Sequence, residues 1–172
     1  IIAATFRATN FEAVISLQTS PMRIVIAGHA SLAIAMGIGR FGYTPLLPLM
    51  RQDGLLSISE GGLLASVHYL GYLLGAVIAT RIPLSPRTVF RLSLLSIALT
   101  TMAMAMTDNF SIWLILRFWC GACSAWVLVL IANYYLKYLA STGRESLQGW
   151  VFSGVGAGIA IAGLGVLAMT VS

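Results

Sequence analysis

Residues 110–136 read FSIWLILRFWCGACSAWVLVLIANYYL, an apolar run interrupted by a single charge, Arg117. Wound as an α-helix at about 1.5 Å per residue, the run is long enough to cross the ~30 Å hydrocarbon core of a bilayer. A strand is excluded on two counts: period-two alternation is absent, and a lone strand cannot satisfy its own backbone groups in lipid. Working outward, residues 24–50, 61–80, 90–108 and 147–171 are runs of the same kind. Together they predict five spans and an all-α fold, a polytopic transmembrane helix bundle.

The composition agrees. With 59% hydrophobic and 9% charged residues, the chain has too little polar surface to dissolve in water as a globular domain. Its net charge of +5 is no sign of nucleic-acid binding, because the charge is sorted by loop. Arg7, Arg23, Arg81, Arg87, Arg91, Lys137 and Arg144 fall on one side, and Arg51 falls on the other beside Asp53, Glu60 and Asp108. That asymmetry predicts a cytoplasmic N-terminus and an external C-terminus. Residues 22–172 are read as the transmembrane domain. Residues 1–21, of mixed polarity and beginning with Ile, are read as a segment outside it: a cytoplasmic arm, an incomplete upstream piece or a mis-assigned start, the last two preferred.

Small residues punctuate the spans at helical spacing. Gly71 and Gly75 lie at i, i+4, as do Gly121 and Ala125, and Gly154 and Gly158. Such faces let two helices approach closely. Because Gly156, Gly163 and Gly165 join them, the last span is expected to be buried among other helices. Pro45 and Pro48 are expected to bend the outer end of the first span.

Two cations are costly where they stand. Arginine at mid-helix opposes insertion by about 2.5–3.5 kcal/mol, yet Arg40 lies about 15 Å, and Arg117 about 10–12 Å, from the outer ends of their runs at ~1.5 Å per residue. His68 falls at a similar depth. No Asp or Glu lies within the interior of the five runs to neutralise them, Asp108 standing only at the end of one. Either backbone carbonyls and Tyr or Ser groups serve these cations, or they await an anion. The plainer alternative for Arg117 is snorkelling to the headgroups. Arg40, Tyr43, His68 and Arg117 are thus the substrate-path candidates. The ordinary imidazole pKa of about 6.5 makes His68 a proton-relay candidate, with a hydrogen bond to a neighbouring helix as its plainer role.

Other motifs dissolve in context. Gly37-Ile38-Gly39-Arg40-Phe41-Gly42 fits G-x-G-x-x-G, with Glu60 near the place of a ribose-binding acid, but no strand or βαβ unit surrounds it. Cys120 and Cys123 form a C-x-x-C inside a span, where thiols are ordinarily packing residues and not a redox pair. Met102, Met104 and Met106 are spaced by two and so point to different helix faces, which suits apolar filling better than soft-metal ligation. Asn109-Phe110-Ser111 matches a glycosylation sequon, which carries little weight without a secretory context. No metal or cofactor is expected.

Residues 37–50, GIGRFGYTPLLPLM, resemble the first helix of the YbfB/YjiJ branch of the major facilitator superfamily, with its GRF and PLLP segments. Residues 70–75, LGYLLG, are similar to its second helix. Residues 117–125, RFWCGACSA, keep the R-x-x-x-G-x-x-x-A skeleton of the fourth, and residues 152–163, FSGVGAGIAIAG, the Gly-rich fifth. The resemblance implies the N-terminal part of a twelve-helix fold of two halves, each half made of inverted repeats around a midplane site, in a bacterial inner membrane. It implies a secondary transporter of small solutes that works by alternating access, coupled to protons, with no enzymatic activity. Helices one and four would line the cavity and bring Arg40 and Arg117 toward one space, which favours an anionic substrate. The expected partners are the lipid bilayer, that substrate, and the further helices of the full transporter, since the chain stops one helix short of a half. The loop at residues 80–87 lacks the acid and the Gly-Arg-Lys cluster of the usual gating motif, and the fifth span lacks the proline of antiporters, so drug antiport is not implied. A small membrane thiol oxidoreductase and a non-transporting truncated protein remain as alternatives.

Overall fold

The computed structural model describes residues 20–171. The expected segment 1–21 lies almost wholly outside the described residues, and Arg7 with it. Five helices follow in order: α1 Pro21–Gln52, α2 Ile58–Ile78, α3 Pro86–Met104, α4 Phe110–Ser141 and α5 Gln148–Val171. Among the described residues there is no strand. Helices α1, α2, α4 and α5 are long and apolar enough to cross a membrane. Helix α3 falls outside that set, having 19 residues with Arg87 and Arg91 near its start, although its ~28 Å length approaches the hydrocarbon thickness.

Local chemistry sets the ends. Ser57 and Glu60 form a capping box on α2: Glu60 N–H donates to Ser57 Oγ at 3.2 Å, and Ser57 N–H donates to Glu60 Oε2 at 2.8 Å. This is the acid that stood where a ribose ligand would in the glycine motif. Asn109 of the sequon caps α4, its Oδ1 accepting from Ser111 N–H at 3.0 Å. Helices α1 and α4 both end on a left-handed glycine, Gly54 (φ 72°) and Gly143 (φ 67°). In each case the next amide reaches back to a carbonyl of the last turn: Leu55 N–H to Met50 O at 2.9 Å, and Arg144 N–H to Leu139 O at 2.8 Å.

Helix α4 is the axis of the bundle, with α2, α3 and α1 packed on it, and α5 lies against α1. Its stretch from Cys120 to Ala125 is wholly buried. Helix α3 presents a stripe at i, i+4, i+8 and i+11, Val89, Ser93, Ile97 and Thr100, which is its buried face. Outward positions such as Leu73, Ile115 and Leu164 stay exposed and apolar, as a lipid-facing surface requires.

Glycines bring the backbones together in two pairs. On α2, a Cβ at Gly71 would meet the Phe118 carbonyl and one at Gly75 would lie 2.6 Å from Ala122 Cα, while on α4 a Cβ at Gly121 would meet the His68 carbonyl. Ala125 is fully buried on the same helix. In the second pair, Gly154 and Gly158 of α5 face the carbonyls of His29 and Ala33 on α1, and Gly37 faces Gly158. Helix α5, expected to be buried among other helices, is buried on this one face and is otherwise open. Its other glycines, Gly149, Gly156, Gly163 and Gly165, meet nothing within 4 Å, because α5 sits at the edge of the bundle with α1 as its chief neighbour.

Helix α1 departs from regular geometry inward of its prolines. It runs unbroken through Pro45 and Pro48 to Gln52, and the widened π turns fall at Ala33–Phe41. Such turns release carbonyls from the i→i−4 ladder and are frequent at functional sites. A second π segment, Ile131–Leu136, lies in α4.

Candidate functional site along the α1–α4 seam

Carbonyls of the π segment of α1 are met by a row of donors on α4. Ser124 Oγ–H donates to Ala35 O at 3.0 Å, Cys120 Sγ–H to Gly39 O at 3.5 Å, and Arg117 Nη1–H to Gly39 O at 3.4 Å. Arg117, Cys120 and Ser124 follow one another at i, i+3 and i+7, so a single face of α4 carries all three. The sequence gives no direct sign of this seam, because its acceptors are backbone atoms.

Arg117 is buried at 7% exposure, so it does not snorkel: its headgroup turns inward along the seam, where a carbonyl and a ring hold it. Its Cζ lies 4.2 Å from the Tyr43 ring centroid, a cation–π contact in a desolvated place. Tyr43 is itself buried and reaches α2 through its hydroxyl, 3.5 Å from Gly61 O. Arg117 Nε finds no hydrogen-bond partner among the described residues.

Arg40, half-buried in the π segment, points to the α2 side. Its Cζ lies 4.6 Å from the Tyr72 centroid, 4.8 Å from Tyr69 and 5.3 Å from Phe41. Tyr69 and Tyr72 were missed by the sequence reading, although their i, i+3 spacing after His68 puts both on one face of α2. His68 is 3% exposed and within electrostatic reach of both guanidiniums, yet neither ring nitrogen has a hydrogen-bond partner among the described residues.

Arg40, Tyr43, His68 and Arg117 thus meet around one level of the bundle, but the two arginines do not face one chamber. Arg117 and Tyr43 open onto a cavity of about 350 Å³ between α1, α3, α4 and α5, lined largely by apolar side chains with Thr100 and Thr101. Arg40 is not on its wall. Among the described residues no Asp or Glu lines that cavity. A guanidinium carries five N–H donors and no acceptor, so Arg117 has donors to spare for a carboxylate or phosphate. Cys120 and Cys123 are both free and buried, and Met104 packs beside Trp113 while Met102 and Met106 are exposed.

Residues 32–172 match the family described as "Uncharacterised MFS-type transporter YbfB". No curated protein matches the chain, and no solved structure matches it.

Proposed function

This chain belongs to the YbfB family of MFS-type membrane transporters, and on that premise we propose that it carries a small anionic solute by alternating access. The observation that carries the reading is Arg117: a buried guanidinium with a long hydrogen bond and a ring beneath it, opening onto a ~350 Å³ cavity that no acid lines among the described residues. An anionic group entering that cavity supplies the acceptors that Arg117 lacks, and in a low-dielectric place such charge-assisted bonds are strong and directional. Arg40 adds a second cation at the same level, held by rings that yield it more readily than a carboxylate would.

In this reading α1 and α4 belong to one rocking half, and further helices complete the path. The bundle sits in a bacterial inner membrane with its N-terminus in the cytoplasm, as the loop charges suggest. Proton coupling runs through His68, buried between α1 and α4 within electrostatic reach of both cations, or through a group on the further helices. The protein is a carrier and not an enzyme. A thiol oxidoreductase is disfavoured by the burial of Cys120 and Cys123, at 3% and 1% exposure, away from any soluble partner.

The test is uptake by the intact protein in proteoliposomes, with carboxylates and phosphate esters set against neutral and cationic solutes. Arg117→Gln should lower anion uptake about a hundredfold, the equivalent of ~2–3 kcal/mol for a lost charged hydrogen bond, and Arg40→Ala should raise KM. Preference for neutral or cationic solutes, or unchanged affinity and turnover in both variants at normal expression, would sink the proposal.

A further inference from the structure

A second cavity, of about 470 Å³, opens at the end of the bundle where α1 and α3 begin and α4 finishes. Arg23 reaches it from the first turn of α1, and Arg87 and Arg91 from the first two turns of α3. Tyr134 and Tyr135 of α4 stand beside them. Deeper in, the wall turns apolar, with Ala27, Leu94 and Leu130, and Phe90 stacks on Tyr135 at 5.9 Å. Among the described residues no Asp or Glu lines it.

Arg23 and Arg91 bring two exposed guanidiniums to one space beside Arg87, and an anion entering it gains from all three. Helix stability does not account for the arrangement, since Arg87 and Arg91 stand at the positive end of α3, where the helix field disfavours a cation. Nor does orientation in the membrane, because that asks for basic loops and not for convergence on a cavity. The three are exposed and so accessible to a ligand.

We propose that this cavity is a phosphate site, filled by the headgroup of an anionic phospholipid. The phosphodiester oxygens accept from the guanidinium forks, which match that geometry. The tyrosines sit at the headgroup level, as aromatic residues of membrane interfaces do, and the acyl chains follow the apolar wall into the bilayer. The shared chemistry of the site is phosphate. The apolar wall selects the lipid source over a soluble one.

The experiment is native mass spectrometry and thermal melting of the full chain in detergent, with phosphatidylglycerol, phosphatidylcholine or inorganic phosphate added. The wild type should retain phosphatidylglycerol over phosphatidylcholine and melt higher with it. The double variant Arg23→Gln, Arg91→Gln should retain on the order of tenfold less, two surface charges having been removed, while its melting without lipid is unchanged. A control pair at the same end but off the cavity, Arg81→Gln with Arg144→Gln, should retain it as the wild type does. Equal protection by millimolar inorganic phosphate, lost in the same double variant, keeps the phosphate site and reassigns its source. Equal retention of phosphatidylglycerol by wild type and double variant, or of both lipids by the wild type, overturns the proposal.

Discussion

At the middle of the bundle Arg40 and Arg117 are met by tyrosine rings and a backbone carbonyl, whereas at the end where α1 and α3 begin Arg23, Arg87 and Arg91 border an open cavity. The difference follows from the surroundings. A cation in the hydrocarbon region has no water to fall back on, so the protein itself must supply acceptors and rings. A cation at the headgroup level is served by solvent and exchangeable anions. The middle pair is therefore held in fixed geometry by three helices, and its partners are fixed by the fold. The end cluster borders an open cavity and should respond to what is dissolved around it.

The largest blow to the middle region is struck without touching an arginine. Gly121→Val would drive a branched side chain into the His68 carbonyl and push α2 off α4, carrying Tyr69 and Tyr72 away from Arg40. A cost of about 3 kcal/mol, the upper part of the range for overpacking, should lower Tm by roughly 6–12 °C for a domain of this size. Thermal melting in detergent checks it, and retention of phosphatidylglycerol at the far end should survive. An unmoved Tm would mean that the close α2–α4 approach is not what positions the rings.

Next comes a direct contrast between the two regions. Arg117→Met should destabilise by about 2–3 kcal/mol through the lost charged hydrogen bond and ring contact, while Arg91→Gln should stay within ~0.5 kcal/mol. Chemical unfolding of both variants side by side decides the matter: equal shifts would erase the distinction drawn above. A smaller effect sharpens it. Replacing Tyr69 and Tyr72 together by Leu keeps the apolar area but removes the π faces, and should weaken the hold on Arg40 by about 1–2 kcal/mol, read as a drop in the unfolding midpoint that vanishes in an Arg40→Met background. Smallest is Ser124→Ala, which leaves the Ala35 carbonyl without its 3.0 Å donor and should cost about 1 kcal/mol. No change there would show that the carbonyls of the π segment are served by other means.

The position of Arg40, His68 and Arg117 along their helices was legible in the sequence, because helical rise is fixed at about 1.5 Å per residue. Which way each points was not. Arg117 could have turned outward to the headgroups, and only the close packing of α1 on α4 makes Gly39 O and the Tyr43 ring available to it instead. The prolines gave a similar half-signal. They marked α1 as irregular, but the irregular turns lie at Ala33–Phe41, where α4 supplies donors for backbone carbonyls, and not at the outer end. The glycines of α5 read as a buried helix, yet glycine content says only that close approach is allowed. Gly154 and Gly158 find a partner in α1, and Gly156 and Gly163 find none among the described residues.

By itself the sequence determined that this chain enters a membrane as helices, since apolar runs of that length can satisfy their backbone groups in lipid in no other way. It also determined which helix ends carry the basic charge, and the identity of the two cations that insertion should have excluded. The tertiary structure alone decided that Arg40 faces the tyrosines of α2 while Arg117 faces a cavity between four helices, and that three terminal arginines share one space. The physical reason is that hydropathy and helical rise are properties of one segment, whereas a cation's partners are set by rotation about the helix axis, and that rotation is fixed only when glycine faces on neighbouring helices lock together.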